Sequence, residues 1–410
     1  MNIGQTFHRP ALWSASLASL LCLQLSARAE DWPQWRGPNQ DGISKETGWL
    51  EKWPADGPAK LWDASCGVGY GSFAVAKGRV YTLGNVQEKD TLYCFDAETG
   101  KARWAYEYPC ASKDPNGYHG TRCTPTVEAD RVYSVSRAGQ LFCLDNTTAT
   151  VKWAKDFKKD FGGVAPRWGF AGSPLIEKNW LLVEAGGTNG ASVVAIDKVT
   201  GDIIWKNGSD AAGYATLIPF DLGGERCFAQ FSADQLIARR MKNGSELWRL
   251  PWKTSYGVNA ATPIIQGDEM FISSGYGYGC ALLKMTQKDV KEVWRNKNMR
   301  NHVNSCVLVD GSLYGYDDSE LKCLDWKTGE VKWATKDYGK GAVVVADGKL
   351  ILYSQTGKLG LAEASPAGFK EICSFQALPG KDTWANPVLA NGRLYVRSLD
   401  KMAVFDVKGK

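Results

Sequence analysis

The sequence predicts an all-β fold, an eight-bladed β-propeller of four-stranded antiparallel blades whose last blade is closed by an N-terminal strand. One observation is a large apolar residue that recurs every 39–52 residues along the 410-residue chain. Another is the unit around it, which holds four short strands and is typical of propeller blades. The recurring residues are Trp62, Trp104, Trp153, Trp205, Trp248, Trp294 and Trp333, with Ile372 in the eighth place.

Each unit has the same internal order. A small residue or Pro precedes the first strand, as in "TPTV" at 124, and a second strand such as "RVYTL" at 79 follows a short turn. The last two strands flank an Asp-x-x-Thr-Gly turn, as in "LKCLDWKTGEVKW" at 321–333. Asp accepts backbone N–H bonds in such a turn, Gly supplies a positive φ, and Trp offers a large face to bury. Copies spread around a ring cannot converge on one cofactor, so the repeat predicts a device that joins blades.

The two ends of the chain predict how the ring closes. Trp62 closes a unit whose first three strands are missing, and the unit that begins at Asn386 lacks its fourth strand. Together the two partial units make one blade, which leaves no open sheet edge. The least regular copies, at 236–248 and 359–372, are still predicted to be blades. The predicted organisation is a signal peptide over 1–29, an extended leader over 30–60 packed on the propeller, and the propeller itself over 61–410.

The N-terminus has the three parts of a secretory signal. His8 and Arg9 precede an apolar stretch over 11–25, and "ARA" at 27–29 has the small-x-small pattern of a cleavage site. The lipoprotein alternative, with Cys22 as the modified residue, is disfavoured because leucines precede it where small residues are needed. The sequence predicts a periplasmic or secreted protein, cleaved after Ala29, with no transmembrane segment.

Charge argues against a nucleic-acid partner. Removing residues 1–29 takes away Arg9 and Arg28 and no acidic residue, which leaves 47 basic and 44 acidic residues, a net charge of +3. This charge is too small for polyanion binding, and the chain holds no basic run. No nucleic-acid partner is predicted.

Cysteine and histidine usage predicts no metal site. Ten cysteines follow the signal peptide, and those at repeat positions are interpreted as small buried hydrophobes. Cys110 and Cys123 could pair across a connector, an alternative that spacing leaves open. Zinc is not predicted, because the chain has no Cys-x-x-Cys and only His119 and His302 remain after cleavage.

The candidate site lies on the connectors that lead from the outer strand of one blade to the inner strand of the next. These connectors share one face of the ring, opposite the repeated turns. Aromatic, amide and cationic residues near their ends predict a funnel for a small anionic ligand or a protein partner. The alternative is that the same residues only cap the channel and fasten blades. The predicted funnel residues are Tyr70, Tyr118, His119, Arg122, Arg167, Trp168, Tyr256, Asn301, His302, Asn304 and Trp384.

The Asp-x-x-Thr-Gly-x-x-x-Trp unit resembles the tryptophan-docking motif of PQQ-type propellers. That family includes the quinoprotein alcohol dehydrogenases and the outer-membrane assembly factor BamB. The resemblance covers nearly the whole chain after residue 29, and it implies that each Trp docks on the motif of the adjacent blade. The leader "DWPQWRGPNQDG" is similar to that of secreted bacterial PQQ-like repeat proteins.

The resemblance implies two functions. Quinoprotein dehydrogenases of this type commonly carry adjacent cysteines against PQQ and hold Ca²⁺ with Glu, Asn and Asp beside a catalytic Asp. This chain has no Cys-Cys pair, and no such ligand set can be placed on its connectors. A monomeric binding or protein-interaction scaffold without catalytic residues, metal ligands or a cofactor is therefore expected. The alternative is a PQQ-dependent alcohol or sugar dehydrogenase with an atypical site that holds PQQ and Ca²⁺.

Overall fold

Alternating apolar positions and frequent turn residues give short strands that stack into eight sheets. The computed structural model describes residues 1–4, 29–114 and 117–409, so the predicted signal peptide lies almost wholly outside the described residues. The described strands, in chain order, are β1 (Ile43–Ser44), β2 (Lys60–Ser65), β3 (Ala74–Ala76), β4 (Arg79–Val86), β5 (Lys89–Asp96), β6 (Ala102–Pro109), β7 (Thr126–Glu128), β8 (Arg131–Val135), β9 (Gln140–Asp145), β10 (Val151–Asp156), β11 (Leu175–Glu177), β12 (Trp180–Gly187), β13 (Ala191–Asp197), β14 (Ile203–Asn207), β15 (Ile218–Leu222), β16 (Glu225–Phe231), β17 (Gln235–Arg240), β18 (Glu246–Pro251), β19 (Ile264–Gln266), β20 (Glu269–Ser274), β21 (Gly279–Met285), β22 (Val290–Asn296), β23 (Val307–Val309), β24 (Ser312–Asp317), β25 (Glu320–Asp325), β26 (Val331–Thr335), β27 (Gly341–Ala346), β28 (Lys349–Ser354), β29 (Lys358–Glu363), β30 (Glu371–Gln376), β31 (Val388–Ala390), β32 (Arg393–Arg397) and β33 (Lys401–Asp406).

These strands form eight blades and confirm the predicted fold class. Blades one to seven are β3–β6, β7–β10, β11–β14, β15–β18, β19–β22, β23–β26 and β27–β30, each a four-stranded antiparallel ladder in sequence order. The irregular copies at 236–248 and 359–372 supply β17–β18 and β29–β30, which pair as in the other blades. The helical elements are short, α1 (Phe157–Phe161) and a 3₁₀ turn over Ser255–Gly257. No helix among the described residues is long and apolar enough to cross a membrane.

The eighth blade joins the two ends of the chain. Its strands are ordered β2-β33-β32-β31, so the N-terminal strand β2 is the outer strand of a blade whose other strands end the chain. Trp62 lies opposite Val404 in this antiparallel pair. The predicted closure is confirmed, and the ring has no unpaired first or last blade.

The Asp-x-x-Thr-Gly turns are held by their own carboxylates. Asp325 accepts backbone N–H bonds from Lys327 and Thr328 at 2.8 and 3.0 Å, and Asp96 accepts equivalent bonds from Glu98 and Thr99 at 3.1 and 2.9 Å. These bonds favour the charged form, and the bond from Thr99 N is the largest cause that lowers the pKa of Asp96 to about 2. Each carboxylate therefore fixes its own hairpin.

The recurring Trp side chains join each blade to the next. The indole Nε1 of Trp62 donates to Ala97 O of blade one at 3.1 Å, and that of Trp333 donates to Ser365 O of blade seven at 2.8 Å. Trp104, Trp153, Trp248 and Trp294 make the same bond as Trp62, to the residue that follows the turn Asp or its equivalent, whereas the acceptor of Trp333 lies one residue further on. Trp205 packs on the turn of blade four without this bond. The docking that the resemblance implied is present.

A second set of contacts joins the blades near the axis. The hydroxyl that precedes an inner strand accepts a backbone N–H bond from the equivalent residue of the preceding blade. Thr124 Oγ1 accepts from Ser72 N at 2.9 Å, Ser173 Oγ from Thr124 N at 3.1 Å, and Thr216 Oγ1 from Ser173 N at 3.0 Å. Blades one to four are thus linked in series by these residues, and Thr262 N makes the same bond to Ser305 Oγ between blades five and six.

The leader lies inside the ring, across the inner strands. Trp32 exchanges backbone bonds of 2.7 and 2.8 Å with Val75 of blade one, and β1 pairs in parallel with the inner strand β27 of blade seven. Arg36 Nη2 donates to Cys306 O, beside the inner strand of blade six, at 2.7 Å. On the face that carries the repeated turns, Asp31 accepts a bond from the side chain of Asn391 at 2.8 Å. The leader therefore closes the axial channel from the turn face.

All ten cysteines of the described residues are free thiols. Cys110 and Cys123, the pair that spacing left open, are both buried and unbonded to each other. Burial raises the pKa of each thiol to about 12, so neither is ionised at neutral pH. These residues pack as small hydrophobic side chains, as the sequence predicts for the repeat positions.

Candidate functional site

A cavity of about 320 Å³ lies where the connectors of all eight blades converge. We call it the axial funnel. Trp35 of the leader is part of its wall and donates from Nε1 to Thr262 Oγ1 at 3.0 Å, so the leader makes the closed end. The lining residues are Trp35, Tyr70, Tyr118, Arg122, Trp168, Ala171, Ser173, Tyr214, Thr216, Val258, Ala260, Tyr276, His302, Val303, Asn304, Lys340, Gln355, Asp382 and Trp384.

One side of the funnel is an aromatic stack beside a cation. The rings of Tyr70 and Trp384 stack with centroids 5.1 Å apart, and Tyr118 lies 5.5 Å from Trp384. The guanidinium of Arg122 lies 5.4 Å from the centre of the Tyr70 ring. Its hydrogen bonds within the described residues go to the carbonyl oxygens of Gly120 and Tyr118, both at 2.8 Å. Burial, and then the nearby Arg137, lower the pKa of Arg122 to about 10, so it stays charged at neutral pH.

Beside Trp384, the wall carries a lysine in contact with a histidine. Lys340 Nζ lies 2.9 Å from His302 Nδ1, and the ring of Tyr276 meets His302 edge-on at 4.7 Å. Burial, and then the charge of Lys340, lower the pKa of His302 to about 4, so the ring is neutral at pH 7. A neutral ring that accepts at Nδ1 carries its proton on Nε2. Burial also lowers the pKa of Lys340.

A further group of aromatic side chains lies along the mouth of the funnel. Tyr256 lies 5.7 Å from Tyr276 and 5.9 Å from Trp168 between ring centroids. The guanidinium of Arg167 lies 4.9 Å from the Tyr256 ring and 5.3 Å from the Trp168 ring. Tyr256 is 61% exposed and Arg167 is exposed too, so these two residues form an outer rim beside the wall residues Trp168 and Tyr276. The mouth of the funnel therefore presents flat aromatic faces next to the positive charge of Arg167.

The structure brings together seven of the predicted funnel residues in the wall and places four elsewhere. Arg167 and Tyr256 belong to the outer rim. His119 is exposed, and its Nδ1 accepts a bond from Asp114 N at 3.0 Å, which holds a connector loop. Asn301 is buried and donates from Nδ2 to Tyr316 O at 3.0 Å. The seven in the wall are Tyr70, Tyr118, Arg122, Trp168, His302, Asn304 and Trp384.

Several wall residues carried no sequence signal. Trp35 lies in the leader, which has no strand pattern that would place it in the channel. Tyr276 belongs to "GYGYG" at 275–279, which is the predicted hairpin, here between β20 and β21, and its ring reaches the funnel wall beside His302. Gln355 lies in the turn between β28 and β29 of blade seven, and Asp382 lies on the connector into blade eight, where the sequence analysis selected only Trp384. Only the packing of the ring brings these four side chains together.

The funnel holds few metal ligands. Asp382 is the one carboxylate among its lining residues. No group of three or more His, Cys, Asp or Glu side chains that could hold a metal ion occurs within the described parts of the chain. Ca²⁺ takes six to eight oxygen ligands, commonly with several carboxylates. The side chains on the funnel wall offer too few oxygen ligands for a hard cation, and they suit an organic anion better.

These observations define an eight-bladed propeller with a single-ended axial funnel, and comparison with known proteins places it in a family. A family model described as "Outer membrane protein assembly factor BamB" matches residues 47–122 and 111–335, more than half of the chain. The chain belongs to this family of PQQ-like repeat propellers. No match was found among curated protein sequences.

Solved structures share the fold at low identity. A europium-containing methanol dehydrogenase has a TM-score of 0.67 at 13% identity, with 91% of this chain and 90% of that chain covered. The quinohemoprotein alcohol dehydrogenase ADHIIG from Pseudomonas putida HK5 has a TM-score of 0.65 at 11% identity, with 93% and 80% covered. The computationally designed Ika8 protein has a TM-score of 0.59 at 10% identity, with 88% and 100% covered. At these identities the likeness describes the fold alone.

Proposed function

We propose that this protein is a periplasmic or secreted binding protein that holds a small anionic ligand in the axial funnel and does not catalyse a reaction. The observation that carries the proposal is Arg122, a desolvated cation in the funnel wall whose hydrogen bonds within the described residues go to backbone carbonyls. A half-buried guanidinium with no carboxylate bonded to it among the described residues is stabilised by an anion that enters the site.

The surrounding charges support an anion. Lys340 is the second positively charged side chain of the wall, after Arg122, and Asp382 is the one carboxylate there. Arg137 lies behind Arg122, with its guanidinium 3.6 Å from Asp114, and disfavours the charged form of Arg122. With His302 neutral, the funnel wall carries a net charge of about +1. A positive charge in a narrow cleft with apolar walls focuses the field on an entering anion.

The shape of the funnel favours a small molecule over a protein segment. Its volume is about 320 Å³, at the lower end of the usual range for small-molecule pockets. Trp35 closes the inner end, so a polypeptide has no path through the ring. A protein partner, which the family description suggests, would instead rest on the outer rim of Arg167 and Tyr256.

A PQQ-dependent alcohol or sugar dehydrogenase is the second candidate. The stacked Tyr70 and Trp384 rings and the cations Arg122 and Lys340 fit the flat, acidic quinone part of PQQ. The Ca²⁺ ion that accompanies PQQ fits this wall poorly, because Asp382 is the only carboxylate among the lining residues. PQQ would supply the redox chemistry, and in this chain Arg122 and Lys340 would hold its carboxylates. We rank this candidate second because the wall does not provide the ligand set for Ca²⁺.

The experiment is a calorimetric titration of the mature protein, residues 30–410, with D-glucuronate, benzoate, and PQQ with and without Ca²⁺. We expect at least one organic anion to bind saturably, and Arg122→Gln to weaken it by about tenfold, as loss of a charge-assisted hydrogen bond does. The matched control is Arg103→Gln, which removes an exposed arginine paired with Asp96 on the outside of blade one. Equal affinity in Arg122→Gln and wild type would overturn the proposal. Ca²⁺-dependent PQQ binding with reduction of a dye acceptor by an added alcohol would favour the dehydrogenase.

A further inference from the structure

The wall of the axial funnel contains a lysine amine that is not held in an ion pair. Lys340 lies on the connector into β27, and its backbone oxygen accepts a bond from Gln355 N at 2.7 Å, which fixes its place in the wall. Its side chain is half-buried and lines the cavity. Among the described residues, Nζ forms no salt bridge with an Asp or Glu, and its hydrogen-bond partner is His302 Nδ1 at 2.9 Å.

The histidine that holds this amine is itself fixed and neutral. The backbone of His302 packs on Gly275, where an added Cβ would lie 2.9 Å from His302 Cα, and the ring of Tyr276 meets the imidazole edge-on at 4.7 Å. A neutral imidazole nitrogen orients the amine by one hydrogen bond, but it does not stabilise the charged form as a carboxylate would. The contact therefore positions Nζ at the cavity surface without committing it to an ion pair.

The surroundings of Lys340 favour the free amine more than water does. Burial lowers the pKa of Lys340, and the nearby carboxylates of Asp318 and Asp382 offset only part of that effect. A lower pKa raises the fraction of the uncharged amine at neutral pH, and the uncharged amine is the nucleophile. Desolvated lysines of this kind are the ones that form Schiff bases with carbonyl compounds.

We propose that Lys340 is a covalent binding site that captures small aldehydes and 2-oxo acids as a reversible imine. The amine nitrogen attacks the carbonyl carbon, a C–N bond forms, and the C–O bond breaks as the oxygen leaves as water. Two of the three ammonium hydrogens leave with that oxygen, so the product is a protonated imine that keeps the positive charge of the lysine. The step needs no oxidant or reductant, and water reverses it. The imine is therefore a mode of binding, and the ligand is released unchanged.

The funnel favours carbonyl compounds that also carry a carboxylate. Arg122 lies in the same wall, and the wall has a net charge of about +1, which suits an oxo acid better than a neutral aldehyde. The ring centre of Trp384 lies 6.0 Å from Lys340 Nζ and offers a flat apolar face to the carbon skeleton. The preference for an acid rests on the proposed function, whereas the formation of the imine does not.

The test is reductive trapping on the mature protein with glyoxylate as the probe. Sodium cyanoborohydride reduces the imine to a stable secondary amine, and peptide mass spectrometry measures the rate of modification at each lysine. Lys358 is the internal control, because it is also half-buried and lies 4.2 Å from the centre of the Tyr338 ring, but it is ion-paired with Glu371 at 3.2 Å. We expect Lys340 to react at least about tenfold faster than Lys358. Equal rates at the two lysines would overturn the proposal.

Two variants separate the imine from the anion site. Lys340→Arg keeps the positive charge and removes the nucleophilic amine, so the fast single adduct in the intact-protein mass spectrum should disappear, and a fast adduct that persists would overturn the proposal. Arg122→Gln should slow trapping of glyoxylate at Lys340 by about tenfold and leave trapping of acetaldehyde unchanged. Fast trapping of both probes in Arg122→Gln would overturn the anion funnel and leave the imine at Lys340 standing.

Discussion

At the scale of single residues, the molecule uses desolvated charge in two different ways. Arg122 lies in the funnel with backbone carbonyls as its protein partners, which leaves its charge available to a ligand. Arg239 is fully buried, and its guanidinium donates to Asp210 Oδ2 at 2.6 Å and to Gln230 Oε1 at 2.7 Å. The arrangement at Arg122 suits ligand binding. The arrangement at Arg239 stabilises the fold, because a buried charge needs a charged partner when no ligand is present.

The network around Arg239 also holds an unusual carboxyl group. Glu184 Oε1 accepts a bond from Gln230 Nε2 at 2.8 Å, and desolvation raises the pKa of Glu184 to about 8. Because the folded-state pKa lies above the unfolded value, the folded protein binds the proton more tightly. The contribution of Glu184 to stability is fully present below about pH 4.5 and is lost as the pH rises through 8.

We expect Glu184→Gln to flatten the pH dependence of stability between pH 5 and 9. The neutral amide does not ionise. Between pH 5 and pH 9 the free energy of unfolding of the variant should therefore rise relative to that of wild type by on the order of 1–3 kcal/mol. The measurement is the urea midpoint at both pH values. Glu98→Gln, which changes an exposed carboxylate in the turn of blade one, is the control and should keep the wild-type slope. The same slope in Glu184→Gln and wild type would contradict this prediction.

At the scale of elements, the turn glycine has two tasks. Gly100 has φ +70°, and a Cβ placed on it would lie 2.5 Å from the ring of the docked Trp62. Gly329 has φ +69° and would meet the docked Trp294 at 2.7 Å. The repeated glycine thus allows the hairpin and also leaves space for the tryptophan that joins the blades.

Two glycine variants can separate these tasks. Gly78 also has φ +70°, but nothing lies within 4 Å of the Cβ it would gain. We expect Gly78→Ala to cost about 1 kcal/mol for the backbone conformation, and Gly100→Ala to cost about 1–3 kcal/mol more because Trp62 must move. The free energies of unfolding in urea measure the difference. Equal losses in the two variants would show that the Trp contact does not matter.

The element scale is also where the sequence was most informative. The Trp spacing, the Asp-x-x-Thr-Gly turn and the half units at Trp62 and Asn386 predicted all eight blades and their closure. These features are local, since each depends on residues within one hairpin or on one docking contact. The degraded copies at 236–248 and 359–372 still formed blades because pairing between strands does not depend on the turn signature.

The funnel was less predictable, for reasons that Asn301 and Asn304 illustrate. They are three residues apart on the same connector, yet one bonds the protein interior and the other lines the funnel. Position on a connector indicates the face of the ring but not the direction of a side chain. The positions of Tyr276, Gln355 and Asp382 in the funnel wall likewise depend on packing between blades, which local sequence patterns do not encode.

At the scale of the whole molecule, the N-terminal segment completes both the ring and the site. Strand β2 closes the eighth blade, and the residues before it cross the channel and place Trp35 at the end of the funnel. The same segment is tied to the turn face, where Glu46 Oε2 accepts a bond from Gly392 N at 3.0 Å. The depth of the funnel is therefore set by a segment outside the blade repeats.

Substitution of Trp35 tests that role. We expect Trp35→Ala to weaken the tightest-binding anion by about three- to tenfold, because an aromatic contact is lost and the closed end widens. Trp35→Phe is the matched variant, which keeps a flat ring and removes only the bond to Thr262, so its affinity should stay close to wild type. Circular dichroism of both variants reports whether the ring is folded. Wild-type affinity in a folded Trp35→Ala would show that the leader does not form the site.

The most direct test of the axial funnel as the binding site is a crystal structure of the mature protein with the tightest-binding organic anion. We predict ligand density between Arg122, Lys340 and Trp35, with the carboxylate within hydrogen-bond distance of the Arg122 guanidinium. Ligand density on the outer rim or on the turn face, with the funnel filled only by water, would contradict the account.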